Sequence, residues 1–438
     1  MLRRKAADRL KGWLDGGTHK ALLLKGARQV GKSYLASAFA QESFEHVVKF
    51  DLLENTRVRD SFLNATSAED LFMRISIEAD APLVPGSTVI VIDEVQECPN
   101  VVTYIKYLVQ KDGYRYILTG SLFGVKLGNI DSLPVGYVSQ VEMHPLDFEE
   151  FCWAAGLAES VFNLARQSFA NLEPLPDHLY ARLLDLFHRY LIVGGMPDAV
   201  NAFLATNNID EVRRVHADLH ALYRDGITKH APEGLRLVIR DIYDLIPSEA
   251  GSKGRRFRLS SIRNVRRFSQ VTDHFLWRSD AGVALPVYNV SSPVSPLLIA
   301  EQRSFFKLFY LDAGMLASSY PKRAYEGLLD GSASMNFGSV YEAAVAQELA
   351  AHGFALRYFT SKKIGELDFV VERADGAVLA IEVKSGRQYL THAALDNALA
   401  VPEYAIDEAY VLAETNVRQE GRIVYAPIFL IGLLDDMG

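Results

Sequence analysis

The stretch GARQVGKS, Gly26 to Ser33, constrains this chain more than any other segment. It follows the short apolar run ALLLK, precedes a helical pattern, and fits G-x-x-x-x-G-K-[ST]. The glycines let the backbone curl until successive amides point inward at phosphate oxygens. The helix that follows turns the positive end of its dipole to the same anion. The expected occupant is ATP with Mg²⁺. Its cradle is Gly26, Ala27, Arg28, Gln29, Val30, Gly31, Lys32, Ser33 and Tyr34. Within it Lys32 neutralises the β- and γ-phosphates, and the Ser33 hydroxyl ligates the metal.

A second segment supports the first. STVIVIDEVQECP is continuously apolar from Val89 to Ile92 and ends in Asp93-Glu94. A strand apolar on both faces belongs inside a parallel sheet covered by helices, and its carboxyl end lies at the edge where such sheets bind ligands. Asp93 is expected to hold the magnesium. Glu94 polarises the attacking water, unless it only caps the next helix. A third strand, YRYILTGS, ends in Thr119-Gly120-Ser121, where a hydroxyl can sense the γ-phosphate, although such strand-ending turns are common. Glu94, Lys32 and Ser121 form the expected catalytic set. A further strand, YVSQVEMHPL, leads into the helix DFEEFCWAAG. Strands alternate with helices from about residue 21 to 155, the pattern of a doubly wound α/β sheet.

At 438 residues the chain suggests about two to four domains. A hydrophobic share of 49% and a charged share of 23% are ordinary globular values. The net charge of −8 argues against a protein that coats nucleic acid non-specifically. Cys98 and Cys152 are the only cysteines, which fits a reducing compartment and excludes a disulfide framework. The amino terminus MLRRKAADRLKGWL is basic and amphipathic but has no signal-peptide apolar core, and no apolar run is long enough to span a bilayer. A cytoplasmic location without membrane contact is expected.

Together GARQVGKS, IDEVQ, LTGS and PLDFEEF resemble the AAA-type P-loop ATPases of a bacterial and archaeal family whose members end in a restriction-endonuclease-like domain. The resemblance covers essentially the whole chain. It implies an ATPase core over residues 1–158, a helical lid over 159–234, a winged-helix-like domain over 235–331 and the endonuclease-like domain over 332–438. It also implies a homo-oligomer. One departure is Tyr137, which follows Gly136 where many relatives have an arginine; if that arginine acts in trans on a neighbour's nucleotide, this chain must supply another.

In the middle of the chain Leu179, Leu183, Leu184, Phe187 and Leu191 stand at helical spacing before Gly194-Gly195. The Gly-Gly-x-Pro there is similar to the Gly-x-Pro of signal-transducing ATPases, which implies that Pro197 packs near the adenine. The alternative is an ordinary helix-ending turn. His216 and His220 share a helix face at metal-ligating spacing, but no third ligand accompanies them. From about residue 235 to 292 the pattern is helix, short helix, helix and β-hairpin, the spacing of a winged helix, a module that often docks on DNA. Between Lys253 and Arg267 stand seven cations and no acid, a candidate DNA contact or a solvated face.

The segment GELDFVVERADGAVLAIEVKSG reads as two β-runs around an Asp-Gly turn. A three-residue loop Ala374-Asp375-Gly376, with Gly376 left-handed, sets Arg373 opposite Ala377 and Asp368 opposite Glu382. The two acids then share a face with Lys384. A two-residue loop would send them to opposite faces. Glu366 is nearby, and its face depends on where the strand begins. Upstream, NFGSVYEAAVAQELAAHG is a helix with Val340, Ala344 and Leu349 on one side and Glu342 in its first half. This set resembles the PD-(D/E)xK nucleases. Glu342, Asp368, Glu382 and Lys384 match the helix acid, the first strand acid and the Glu-x-Lys. The resemblance implies a second Mg²⁺ or Mn²⁺ and cleavage of DNA. A salt-bridged hairpin that only binds is the alternative.

Overall fold

A computed structural model describes residues 2–111, 113–121, 136–230, 236–251, 257, 282–329, 337–386 and 388–434. Residues 252–256 and 258–281, which carry the expected winged-helix helices after residue 251 and, apart from Phe257, the basic run from Lys253 to Arg267, lie outside the described residues. Two compact units form, one of Met1–His144 with Asp280–Gly282, the other of Pro145–Ser279 with Val283–Gly438.

In the first unit the strands are β1 (Ala21–Gly26), β2 (His46–Asp51), β3 (Thr88–Asp93), β4 (Tyr114–Ser121) and β5 (Val138–Met143). They lie in the order β2-β3-β4-β1-β5, all parallel. The helices are α1 (Ala6–Asp15), α2 (Lys32–Ser43), α3 (Thr56–Leu63), α4 (Ala68–Glu78) and α5 (Pro99–Gln110). β3 is buried at every position, as a central parallel strand must be. β2 is the strand that apolar runs do not announce. It is an edge strand whose Lys49 is exposed and whose buried residues are Val48 and Phe50 alone. Because all five strands run the same way, the residues that end β1, β3 and β4 reach one edge, with Gly26 beside Ser121 and Ile92 beside Leu118. Tyr137 sits at the other edge, where its carbonyl accepts from Ala21 N and its hydroxyl takes a 3.0 Å bond from Gln110.

The second unit begins with α6 (Phe148–Ala154), α7 (Glu159–Ala170), α8 (Asp177–Val193), α9 (Pro197–Thr206), α10 (Ile209–His230) and α11 (Arg236–Ala250). After β6 (Ala284–Val290) and β7 (Glu301–Tyr310) come α12 (Ala313–Ala317), α13 (Lys322–Leu329) and α14 (Gly338–Ala351). The chain continues through β8 (Arg357–Ser361), β9 (Gly365–Leu367), β10 (Phe369–Glu372), β11 (Val378–Val383) and α15 (Ala393–Leu399). β12 (Glu408–Ala413), β13 (Arg418–Glu420) and β14 (Ile423–Pro427) complete it. One sheet has the order β10-β11-β12-β14-β13 and the other β7-β6-β8-β9. β6, expected in the wing of a winged helix, pairs antiparallel with β7 and parallel with β8, so this sheet runs across residue 332.

The Gly-Gly stop of α8 has a packing cause. A Cβ on Gly195 would lie 1.9 Å from the Leu146 carbonyl oxygen, and one on Gly194 (φ +70°) would lie 2.1 Å from Asp312 Oδ1. Gly195 N donates to Asp312 Oδ2 at 2.6 Å, and Leu146 N donates to the Gly195 carbonyl at 2.7 Å. The buried Asp312 carboxyl is pushed up to about 6 by desolvation, although these amide donors hold it back. α14 also departs from a one-sided helix, since it is buried on every face from Gly338 to Leu349.

Candidate functional sites: a phosphate loop and a carboxylate cluster

The loop between β1 and α2 owes its shape to its glycines. A Cβ on Gly26 would lie 2.2 Å from the Met143 carbonyl oxygen, and Gly31 takes φ +93°. Gln29 is left-handed as well, at φ +64°. The Lys32 ammonium is buried and donates to the Ala27 carbonyl at 2.7 Å. Burial holds it below its ordinary pKa, while the charges of Glu94 and Asp93 pull upward. Ser33 Oγ donates to Asp93 Oδ1 at 2.8 Å, so the hydroxyl and the carboxylate named from sequence meet across the loop. Two hard oxygen donors in contact suit Mg²⁺ and are the residues that would hold it.

Glu94 follows in a left-handed conformation (φ 56°), its carboxylate bonded by the Gln96 amide. Of the hydroxyls ending β4, Thr119 reaches Asp93 and accepts from Glu94 N at 3.3 Å. Ser121, the expected catalytic hydroxyl, stands beside Gly26, buried and without a hydrogen-bond partner among the described residues. Period two separates two hydroxyls on one strand face, and only the tertiary contact distinguishes them. Arg4 was not singled out from sequence. Its guanidinium donates to the Val30 carbonyl at 2.9 Å and to the His144 carbonyl at 2.6 Å, which ties the loop to the end of β5. Pro197 is the first residue of α9, in the second unit.

The hairpin β10–β11 has the register that a three-residue loop requires. Phe369 pairs with Ile381 and Glu372 with Val378, Arg373 N donates to the Ala377 carbonyl at 3.0 Å, and Gly376 takes φ +91°. Continued outward, this pairing sets Asp368 opposite Glu382. Asp368 Oδ2 accepts from Val383 N at 2.8 Å, and Lys384 Nζ lies 2.8 Å from Glu382 Oε1. Burial, and then the charge of Asp368, push Glu382 up to about 7. Glu342, fully buried on α14, completes the four residues expected together.

A fifth side chain stands among them. Lys307 on β7 is 1% exposed. Its ammonium lies 2.8 Å from Glu366 Oε1, 3.7 Å from Glu342 Oε2 and 3.8 Å from Asp368 Oδ1, and 5.1 Å from the centre of the Tyr358 ring. Glu366 on β9 and Asp368 in the bend that follows it therefore converge on one cation. Lys307 thus stands beside Glu342 and Asp368, two of the acids expected to hold a second Mg²⁺ or Mn²⁺, while the buried Glu382 Oε2 has no hydrogen-bond partner among the described residues. The sequence held a signal, because FFKLFYL puts one lysine inside a run apolar on both sides, and a lysine buried there must be paired.

His216 and His220 do not converge on a common ligand. His216 Nε2 meets the Val193 carbonyl at 3.0 Å, and His220 Nδ1 meets the Tyr243 hydroxyl at 2.7 Å. Asp147, Glu348 and His352 do bring ligand atoms within 4.8 Å of one another. Asp147 caps α6 through Glu150 N at 2.8 Å, and Glu348 Oε1 accepts from Phe148 N at 2.8 Å and the Tyr190 hydroxyl at 2.9 Å. These bonds fasten α6 and α8 to α14.

Residues 18–152 match a family described as an AAA domain. Residues 184–324 and 337–430 match two domains of unknown function, DUF8612 and DUF4143. No curated protein matches the chain. Among solved structures it is similar to the Walker-type ATPase paby2304 of Pyrococcus abyssi, at 15% identity over 73% of this chain and 95% of that chain, with a TM-score of 0.43. It is similar also to the ORC1 protein of Aeropyrum pernix in complex with DNA, at 15% identity over 75% and 91% of the two chains and a TM-score of 0.28. A third is the RuvB Holliday junction branch migration motor of Thermotoga maritima, at 11% identity over 75% and 95% and a TM-score of 0.30. An AAA domain with an α/β P-loop fold and a parallel sheet occupies the first part of the chain. Among the described residues no helix is long and apolar enough to cross a membrane.

Proposed function

We propose that this chain binds and hydrolyses ATP as an AAA-type ATPase, and couples its nucleotide state to a nuclease-like, DNA-acting carboxyl-terminal domain. The observation that carries the ATPase reading is the 2.8 Å contact between Ser33 Oγ and Asp93 Oδ1 beside the buried Lys32. That contact puts Ser33 and Asp93 beside Lys32 at one strand edge, which supports reading them as the pair that would hold magnesium and the cation that would neutralise phosphate. The metal screens the phosphate charge when bound. The loop amides and Lys32 hold and orient the triphosphate, and Glu94 accepts a proton from the attacking water. Phosphate release by wild type and by Glu94→Gln tests this. The variant is expected to bind ATP as wild type does and to hydrolyse it at least ~100-fold more slowly; equal turnover removes Glu94 from its role.

The nuclease-like assignment is supported by the succession α14, β8, β9–β10, β11, α15, β12, with acids on the helix and on facing strands. A second reading is that the domain holds DNA or protein without cutting, and Lys307 among the acids favours it. Incubating a DNA panel with Mn²⁺ and either wild type or Asp368→Ala separates the two. Cleavage by wild type that the variant lacks supports cutting, and intact DNA in both arms supports binding alone. A homo-oligomer, a cytoplasmic setting and a contact of Pro197 with the adenine belong to the same proposal. Unchanged nucleotide affinity in Pro197→Ala removes the last of these.

A further inference from the structure

We propose that Lys307 is the resident cation of the carboxylate cluster and closes it to divalent metal. This goes beyond the nucleotide reading and does not depend on it. It concerns what the acids of the second unit hold.

Three observations carry it. First, the ammonium has no route to solvent of its own, being 1% exposed on a strand flanked by the buried Phe306 and Leu308. A lysine in such a place is stable only against fixed negative charge. Second, the charge comes from three separate elements: Glu366 at 2.8 Å from β9, Glu342 at 3.7 Å from α14, and Asp368 at 3.8 Å from the bend before β10. An ammonium bonds carboxylates at about 2.8 Å, and Mg²⁺ binds them at about 2.1 Å. A divalent ion held between Glu342 and Asp368 would stand beside this ammonium, and the two positive centres repel. Third, two further oxygens are bonded elsewhere, Asp368 Oδ2 to Val383 N at 2.8 Å and Glu382 Oε1 to Lys384 at 2.8 Å, while the buried Glu382 Oε2 has no hydrogen-bond partner among the described residues. The Tyr358 ring closes another side of the ammonium at 5.1 Å.

The acids that match a metal-dependent cutting site are thus gathered by an internal counter-ion, and the cluster works as a structural pin between β7, β9 and α14. Removing the charge of Lys307 while keeping its apolar length leaves buried carboxylates that must either take protons or accept another cation.

The test uses the full chain without nucleotide, Mn²⁺ alone as probe, and electron paramagnetic resonance to count bound metal. Wild type, Asp368→Asn, Lys307→Met and the double variant Lys307→Met/Asp368→Asn are compared, so that any Mn²⁺ held at the phosphate loop is common to all four and cancels. Wild type and Asp368→Asn are expected to bind the same number of ions. Lys307→Met gains one, which the double variant loses. If wild type binds an ion that Asp368→Asn does not, Lys307 yields to metal and the proposal is overturned. A folded Lys307→Met that gains none overturns it as well. Should Lys307→Met fail to fold, Lys307→Gln takes its place, and the wild-type comparison with Asp368→Asn still decides.

Discussion

Lys32 and Arg4 show how differently two cations serve one loop. Lys32 is buried against the Ala27 carbonyl, and under the proposed reading it faces the phosphate that the loop amides take up. Arg4 touches the loop from behind through the Val30 carbonyl and binds the end of β5 with its other nitrogen. Lys32→Ala is therefore expected to abolish nucleotide binding. Arg4→Ala should weaken it only about tenfold, since each hydrogen bond from a charged donor is worth about 1.5–3 kcal/mol and part of that falls on folding rather than on binding. Titration of both variants with a fluorescent ATP analogue checks this. A Lys32→Ala protein that binds as wild type does would remove the loop from the nucleotide reading.

At the scale of elements, α10 is pinned by its two histidines. His216 bonds to the last residue of α8, while His220 bonds to Tyr243 of α11 and meets the Met315 carbonyl of α12 at 3.2 Å. Burial lowers His216 to about 3 and His220 to about 4, so both are neutral in the folded unit at pH 7. Unfolded, each takes a proton near pH 6.5. Protons are then bound more by the unfolded chain, and stability present above pH 6.5 falls as pH is lowered toward the folded values. Each histidine contributes about 1.4 kcal/mol per pH unit to that slope. Denaturant unfolding of His220→Gln from pH 7.5 to 4.5 is expected to show a shallower loss on acidification than wild type, whatever its stability at pH 7.5. Parallel slopes would mean that His220 is protonated in the folded unit.

For the whole molecule, the nucleotide reading and the family resemblance lead to one expectation about assembly: ATP should shift the chain to larger species on a sizing column, and Lys32→Ala should not respond. Elution unchanged by ATP would speak against nucleotide-driven oligomers. Features held within a few consecutive residues were legible from the sequence. The phosphate loop, the acidic end of β3 and the loop length that aligns Asp368 with Glu382 each follow from local backbone geometry. β2 was not singled out, because Lys49 interrupts Val47, Val48 and Phe50 and no glycine turn marks the segment. Distance along the chain hid the rest. Arg4 meets His144, and Gly195 meets Asp312, with more than a hundred residues between the members of each pair. Lys307 joins acids carried on a later helix and a later strand. The sequence by itself determined which residues can grip a phosphate and which acids can face each other, because turn length and strand parity act over short range. Tertiary structure alone decided which cation those acids hold, because burial in a shared interior selects the partner, and no local pattern encodes it.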